Sequence, residues 1–188
     1  MKTILFYDTE TTGLPVWKEP SDSEAQPHLV QLGAVLANAE TKEVISTLDV
    51  IIKPEGWEIP EEVSAIHGIT TEHAQAVGVP EHLAFEMLIA MAGDAERVAY
   101  NKTFDQRIIR IAAKRYSTEE VQEKWAVKDD HHCSMRMAQS IIGGKNPKLI
   151  DAYQHFTGKD LENAHSAMAD TLACMEVYWA VLALDEAA

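Results

Sequence analysis

The chain has 188 residues, of which 46% are hydrophobic and 24% are charged, and these values exclude a disordered protein and fit one globular domain. Its formal net charge of −14 argues against a protein that sheathes duplex DNA by neutralising many phosphates. The charge is uneven, because residues 1–98 hold 5 basic and 17 acidic side chains. The second half of the chain is therefore the better place for an anion.

The cysteines and the apolar runs exclude further classes of protein. Cys133 and Cys174 lie far apart and form no Cys-x-x-Cys pair, so we predict two ordinary thiols rather than a disulfide or a structural zinc site. We find no apolar run with the length of a membrane span, and the apolar segment after Met1 reaches Asp8 too soon for a secretory signal. We therefore expect a cytoplasmic protein with no membrane partner.

The first predicted strand, residues 4–7, ends in two carboxylates, Asp8 and Glu10. Side chains alternate between the two faces of a strand, so both carboxylates lie on the same face. Such a pair is costly unless one group takes up a proton or a cation lies between them. Taken alone, the pair is also explained by an acidic strand end that faces water.

Two more strands are predicted, at residues 29–37 and 48–52. A loop rich in Pro and Ser, residues 15–27, separates them from the first strand. Three consecutive strands with modest connections favour an antiparallel meander.

Two helices follow the meander, and their ends are marked by proline and glycine. The first begins near Pro60 and stops at Gly68, and the second runs from residue 80 to residue 93. In the second helix Leu83, Met87 and the pair 90–91 recur at helical spacing, so we predict that this stripe faces the core.

The second half of the chain alternates strand and helix patterns. We predict strands at residues 97–100 and 129–133 and helices at residues 103–114, 135–141, 147–156 and 166–184. Strands first, then strands alternating with helices, indicate an α/β protein with a mixed sheet flanked by helices.

Two carboxylates in the second half stand at the ends of predicted elements. Asp105 falls in the first turn of the helix after the fourth strand, where an acid is favoured by the helix dipole alone. Asp170 lies inside an apolar segment, where an unpaired charge would cost several kcal/mol, so a buried partner or a metal is indicated.

His165 precedes Asp170 by five residues, which places the two about 140° apart on a continuous helix. The two side chains share a site only if His165 lies in the loop before the helix. A histidine there is a natural acceptor for a proton from water, although an isolated histidine is more often an ordinary polar residue.

Together Asp8, Glu10, Asp105 and Asp170 provide the hard oxygen ligands that suit Mg²⁺ or Mn²⁺ rather than zinc. Two such ions held close together would activate a water and stabilise a leaving oxygen in phosphodiester cleavage. The order and spacing of the four acids favour this hypothesis over a set of solvated surface charges.

Three motifs resemble the DEDDh family of 3′-to-5′ exonucleases, which includes the proofreading epsilon subunits of bacterial DNA polymerase III. They are Asp8 to Leu14, Asn101-x-x-Phe104-Asp105, and His165-x-x-x-x-Asp170, and the segment 66–70 resembles a further one beside the terminal nucleotide. The resemblance spans most of the chain and implies one exonuclease domain over residues 1–188. The implied fold is RNase H-like, with a five-stranded mixed sheet flanked by helices.

The resemblance also implies an activity and a site. The expected activity is hydrolysis of single-stranded nucleic acid from its 3′ end, with DNA favoured over RNA, to release nucleoside 5′-monophosphates by a two-metal mechanism with Mg²⁺, which Mn²⁺ can replace. Asp8, Glu10, Asp105 and Asp170 are expected to hold the metals, and His165 to act as the general base. Residues implied to line the 3′-nucleotide pocket are Thr11, Leu14, His67, Asn101 and Phe104.

Two alternatives stay open at this point. The same fold could serve as a non-catalytic module that binds nucleic acid or a polymerase, although four clustered carboxylates are costly in a scaffold. The enzyme could also work alone, as a homodimer, or on a polymerase partner.

Basic and aromatic residues outside the motifs give weaker signals. A basic stripe on the helix at 103–114 is either a solvated face or a phosphate track, and its members are Lys102, Arg107, Arg110, Lys114 and Arg115. Four scattered tryptophans are predicted to be packing residues rather than a stacking platform for bases, namely Trp17, Trp57, Trp125 and Trp179.

Overall fold

A computed structural model describes residues 1–186 and shows one mixed sheet with helices on both faces. The strands are β1 (Thr3–Thr11), β2 (Leu29–Asn38), β3 (Val44–Lys53), β4 (Val79–Pro80), β5 (Glu96–Ala99) and β6 (His131–Cys133). The helices are α1 (Glu61–His67), α2 (Thr71–Val77), α3 (Glu81–Ala92), α4 (Lys102–Tyr116), α5 (Glu119–Ala126), α6 (Ser134–Ile142), α7 (Leu149–Thr157) and α8 (Ala167–Glu186).

The sheet confirms the predicted α/β fold class and the predicted meander. Its order is β4-β3-β2-β1-β5-β6, with β1, β2 and β3 antiparallel and with β5 and β6 parallel to their neighbours. The predicted count of five strands differs by one, because the two-residue strand β4 pairs with the end of β3. A pair of residues carries no period-two pattern, so the sequence did not reveal it.

Two hydrophobic layers cover the two faces of the sheet. Alternate residues of β1 point into opposite layers. Leu5 and Tyr7 belong to the layer with α3, α4 and α5, and Ile4 and Phe6 belong to the layer with α6, α7 and α8. By the same alternation Asp8 and Glu10 lie on the α8 side of the sheet. The end of β1 therefore joins both layers.

The predicted buried stripe of α3 is wrong. Leu83 and Met87 are 43% and 48% exposed, whereas Ala84, Phe85 and Leu88 are buried against the sheet. The helix is apolar on nearly every side, so its periodicity does not select the face that packs. The sequence analysis also missed α2, which begins after Thr70, whose hydroxyl accepts a hydrogen bond from the His73 backbone N–H at 3.2 Å.

Helix α8 is the long element of the second layer. Contrary to our expectation that the chain has no apolar run of membrane-spanning length, residues Ala167–Leu184 have that length with a mean hydropathy of 1.4. In the structure α8 packs against β1 and β2 through Ala173, Val177 and Val181, all of which are buried. This packing is that of a core helix.

Candidate active site

The end of β1 brings carboxylates from both layers together. Asp8 and Glu10 lie on one face, and Thr9 between them faces the other, where it meets Asp105 from the first turn of α4. The backbone N–H and the hydroxyl of Thr9 both donate to Oδ1 of Asp105, at 3.1 and 2.8 Å. Asp105 is thereby locked beside the acidic pair.

The opposite side of the site depends on close docking of α8 onto β2. Gly33 lies directly opposite Asp8 in the strand register, and a Cβ at Gly33 would stand 2.5 Å from the backbone of Ala167. The Thr171 hydroxyl lies 2.7 Å from the Ala167 carbonyl and 3.2 Å from the Gly33 carbonyl and shares its single proton between them, and the Ala167 N–H donates to Oε1 of Gln31 at 3.1 Å. Because the helix touches the strand backbone, Asp170 is held beside Asp8.

We expect Gly33→Ala to disturb the site by moving the start of α8. The added methyl cannot fit at 2.5 Å from a backbone carbonyl, so the helix must shift and carry Asp170 away. Thermal unfolding should show a lower Tm, and calorimetry with Mn²⁺, performed where the protein is still folded, should show weaker binding.

The matched control for Gly33→Ala is Leu88→Ala, which lies on the other face of the sheet. Removing this buried side chain should cost about 2–5 kcal/mol of stability and leave Mn²⁺ binding intact. Equal losses of Mn²⁺ affinity in the two variants would contradict a specific role for Gly33.

His165 lies in the loop before α8, as a shared site with Asp170 requires. Its backbone adopts a left-handed conformation, with φ of 68°, and its N–H donates to Oδ2 of Asp170 at 3.3 Å. Potential ligand atoms of Glu10, His165 and Asp170 all lie within 4.8 Å of one another. The loop geometry therefore brings the imidazole to the acids, which a continuous helix would have prevented.

Burial raises the pKa of every acid in this cluster, and repulsion by neighbouring acids adds to it for Asp8, Glu10 and Asp105. Burial is the largest cause for each one, and it raises the pKa of Glu10 to about 8 and that of Asp105 to about 7. The hydrogen bonds from Thr9 hold the Asp105 pKa down against this effect. The pKa of Asp8 lies well above its ordinary value because Asp105, Asp170 and Glu10 add their charges to its burial.

The residues of the cluster fit a divalent cation. Oδ1 of Asp170 is buried and has no hydrogen-bond partner among residues 1–186, and burial also raises the pKa of this carboxyl. A carboxylate oxygen without a donor, close to three further acids, is stabilised by a hard positive ion.

The five residues predicted for the nucleotide pocket have different surroundings. Thr11 ends β1 and donates its hydroxyl to the Gly13 carbonyl at 2.8 Å, while Leu14 is 77% exposed in the loop that follows. Asn101 is exposed at the start of α4, and Phe104 in the next turn packs partly against the core. Leu14 and Asn101 are thus accessible to a ligand.

His67, the fifth of these residues, ends α1 on the His165 side of the site. Its Nδ1 accepts the Ile69 N–H at 3.2 Å, and its Nε2 is buried without a partner in the described part of the chain. Burial and the charge of the neighbouring His165 both lower the His67 pKa. The structure therefore brings the segment 66–70 to the motif that contains His165.

Sequence reasoning missed the residues that position α8. Gln31 joins three elements, since its amide also donates to Oδ1 of Asp49 at 2.9 Å on β3, and Gly33 and Thr171 complete the contact. The available signal was an amide and a glycine within an otherwise apolar buried strand. Such residues indicate close approach of another backbone.

Two comparisons with known sequences found similar proteins. A family model described as Exonuclease, RNase_T, matches residues 5–178. The uncharacterised exonuclease CP81 of Escherichia phage 186 is 32% identical over 176 residues, which cover 88% of this chain and 81% of that protein.

Solved structures of E. coli exonuclease I share the fold. Its complex with a dT13 oligonucleotide is 23% identical with a TM-score of 0.74, and the match covers 97% of this chain and 41% of that chain. Its zinc-bound complex with single-stranded DNA is 21% identical with a TM-score of 0.75, and the match covers 100% and 42% of the two chains. The protein described here thus spans less than half the length of exonuclease I.

Proposed function

The chain belongs to the exonuclease family whose model covers residues 5–178, and from this membership we propose that it removes nucleotides from the 3′ end of single-stranded nucleic acid. The products are nucleoside 5′-monophosphates. The observation that carries the proposal is the convergence of Glu10, His165 and Asp170, whose ligand atoms lie within 4.8 Å of one another, beside the half-buried Asp8 and the buried Asp105.

Each residue of the site has a proposed role. Asp8, Glu10 and Asp170 hold divalent cations, Mg²⁺ in the first instance, and Asp105 supports them directly or through water. Such ions lower the pKa of a water and offset the charge that builds on the phosphate. His165 accepts the proton of the attacking water, and the hydrogen bond from its N–H to Asp170 keeps the imidazole next to the acids.

The substrate is proposed to be a single strand, with DNA preferred over RNA. The net charge of −14 disfavours a long duplex, whose phosphates would be repelled by most of the surface. Exonuclease I, which shares the fold, is described in complex with single-stranded DNA and with a dT13 oligonucleotide. Leu14 and His67 are proposed to contact the terminal nucleotide.

A comparison of matched DNA and RNA oligonucleotides tests this proposal. With Mg²⁺ and a label at the 5′ end, we expect a ladder of products shortened from the 3′ end and release of nucleoside 5′-monophosphates, faster from DNA. EDTA should stop the reaction. Immediate release of the labelled 5′ nucleotide, or no hydrolysis of either strand, would contradict the proposal.

The alternative is a module that binds nucleic acid or a polymerase without cleaving it. Calorimetry with Mn²⁺ separates the two proposals, because a site that has lost its chemistry has no need to bind the ion. The buried, unpaired Oδ1 of Asp170 favours the catalytic proposal.

A further inference from the structure

Two cavities, of 230 and 200 Å³, lie end to end along the outer side of α4 and share Arg110 and Ala126. We call them together the α4 groove. The residues of its walls that matter here are Trp17, Thr103, Arg107, Arg110, Lys114 and Lys128. From Thr103 to Lys114 the groove follows α4 for about 16 Å, at the rise of an α-helix.

Three of the five residues of the basic stripe noted in the sequence line the α4 groove. Arg110 and Lys114 are exposed along it, with Arg107 one turn before Arg110. The other two members do not face it. Lys102 donates to the His131 carbonyl at 2.9 Å, and Arg115 donates to the carbonyls of residues 26 and 27.

The acidic residues that line the groove, Glu119 and Glu123, belong to its α5 wall, opposite Arg110 and Lys114. Lys128 adds a positive charge at the Trp17 end. An anionic chain in the groove is therefore attracted to the α4 side and repelled from the α5 side, which gives it a defined path.

Trp17 differs from the other tryptophans and corrects the prediction that all four are packing residues. It is 55% exposed, whereas Trp125 is buried and Trp57 and Trp179 pack against hydrophobic clusters. An exposed indole on the wall of a basic groove is a stacking surface for a nucleobase.

The loop that carries Trp17 is held in place by hydrogen bonds. The buried side chain of Gln26 bonds both the N–H and the carbonyl of Val16 and also the carbonyls of Glu19 and Pro20, at 2.9–3.2 Å. Arg107 donates through Nη2 to the Glu19 carbonyl at 2.6 Å. These hydrogen bonds hold the backbone of the loop around Trp17 in place, while the indole ring is exposed to solvent.

The α4 groove begins at the N-terminal end of α4, which also carries Asp105, and Thr103 and Asp105 point to opposite sides of that first turn. Trp17 on the groove wall is three residues after Leu14 of the proposed nucleotide pocket. We propose that this groove binds the sugar–phosphate backbone of the single strand behind its 3′ end, with Trp17 stacked on one base. The inference rests on the proposed function and names the path of its substrate. Phosphates contact Arg110 and Lys114, and the contact is independent of sequence.

Binding measured without catalysis tests the groove. Fluorescence anisotropy of a labelled oligothymidylate in EDTA should show that Arg110→Glu with Lys114→Glu raises Kd at least tenfold. The slope of log Kd against log salt should fall by about 1.4, because each phosphate contact of a single strand contributes about 0.7. Trp17→Ala should raise Kd about tenfold, and Trp17→Phe should restore most of the affinity.

The matched control is Arg136→Glu with Lys145→Glu, which makes the same change in net charge. Arg136 is exposed on α6, in the helical layer on the opposite face of the sheet, and Lys145 is exposed in the loop after it. A control that weakens binding as much as the groove variant, or a groove variant with the Kd and salt slope of the wild type, would overturn the proposal.

A small substrate separates failure of the groove from failure of the proposed function. The p-nitrophenyl ester of thymidine 5′-monophosphate reaches the catalytic cluster but is too short for the groove. We expect the ratio of kcat/KM for the oligonucleotide to kcat/KM for the ester to fall about tenfold in the groove variant. If the wild type cleaves neither compound, the proposed function is wrong, and the anisotropy measurement still decides whether the groove binds the strand.

Discussion

Asp8→Asn is expected to abolish hydrolysis and, at the same time, to stabilise the metal-free protein. The carboxylate of the half-buried Asp8 lies beside three other acids, and desolvation together with the charges of those acids raises its pKa. An amide removes that repulsion and also removes a ligand for the cations. Loss of several kcal/mol of transition-state stabilisation corresponds to a decrease in kcat on the order of 10³-fold or more.

The raised pKa values predict the direction in which the stability of the metal-free protein changes with pH. Glu10 has a pKa of about 8 in the folded chain against an ordinary value of 4.5, so the folded state binds more protons than the unfolded state between these values. Metal-free protein should therefore lose stability as pH rises from about 4.5 through about 8. The same sign holds for Asp105, whose pKa is also raised.

Differential scanning fluorimetry across this pH range measures the effect. In EDTA the Tm of the wild type should fall with rising pH, and the Tm of Asp8→Asn should be higher and less dependent on pH. Each kcal/mol corresponds to about 2–4 °C in a domain of this size. Excess Mg²⁺ should raise the Tm of the wild type most at the alkaline end, because the ion binds the ionised carboxylates.

Asp129→Asn is the matched control, since it removes the same charge from an exposed position outside the cluster. It should leave both the hydrolysis rate and the slope of Tm against pH close to those of the wild type. An Asp8→Asn protein that still digests single strands at the wild-type rate would refute the site assignment. One that is less stable than the wild type in EDTA at alkaline pH would refute the electrostatic account.

His165→Ala is expected to lower kcat by about 10²–10⁴-fold, the usual contribution of a positioned general base. Its effect on Mn²⁺ affinity should be small, because Glu10, Asp8 and Asp170 remain. The specific readout is a decrease in kcat that is not accompanied by a loss of Mn²⁺ affinity.

His155→Ala is the control for this prediction, because His155 is exposed on α7. It should keep the wild-type kcat and Mn²⁺ affinity. If His165→Ala instead lost Mn²⁺ binding, His165 would be a ligand of the cation and not the base. Its ligand atom lies close enough to Glu10 and Asp170 for the experiment to be needed.

The sequence alone predicted most of the elements around the site. The carboxylates at the end of β1, the acid in the first turn of α4 and the acid in α8 were all placed on the correct elements, because strand and helix periods are local properties. The three motifs also resembled those of the exonuclease family. Each element and each motif consists of residues only a few positions apart.

Predictions were wrong where the local sequence pattern did not indicate which face or side chain is buried. Helix α3 is apolar on nearly every side, so only contact with the sheet selects the face with Phe85 and Leu88. Nothing in the local sequence distinguishes Trp17 from a packing residue. It is exposed because of the conformation of its loop, which hydrogen bonds from Gln26 hold in place. Both outcomes depend on contacts between distant segments.

By itself the sequence determined which residues could bind cations and accept a proton. The acids at the ends of strands and helices and the histidine before a helix can be identified from residue type and local pattern. Only the tertiary structure decided that they meet. Gly33 lets α8 touch β2, Thr9 holds Asp105 across the sheet, and a left-handed backbone at His165 turns it toward Asp170. The physical reason is that convergence depends on close backbone contacts between segments up to 138 residues apart, as between Gly33 and Thr171, and no local periodicity encodes them.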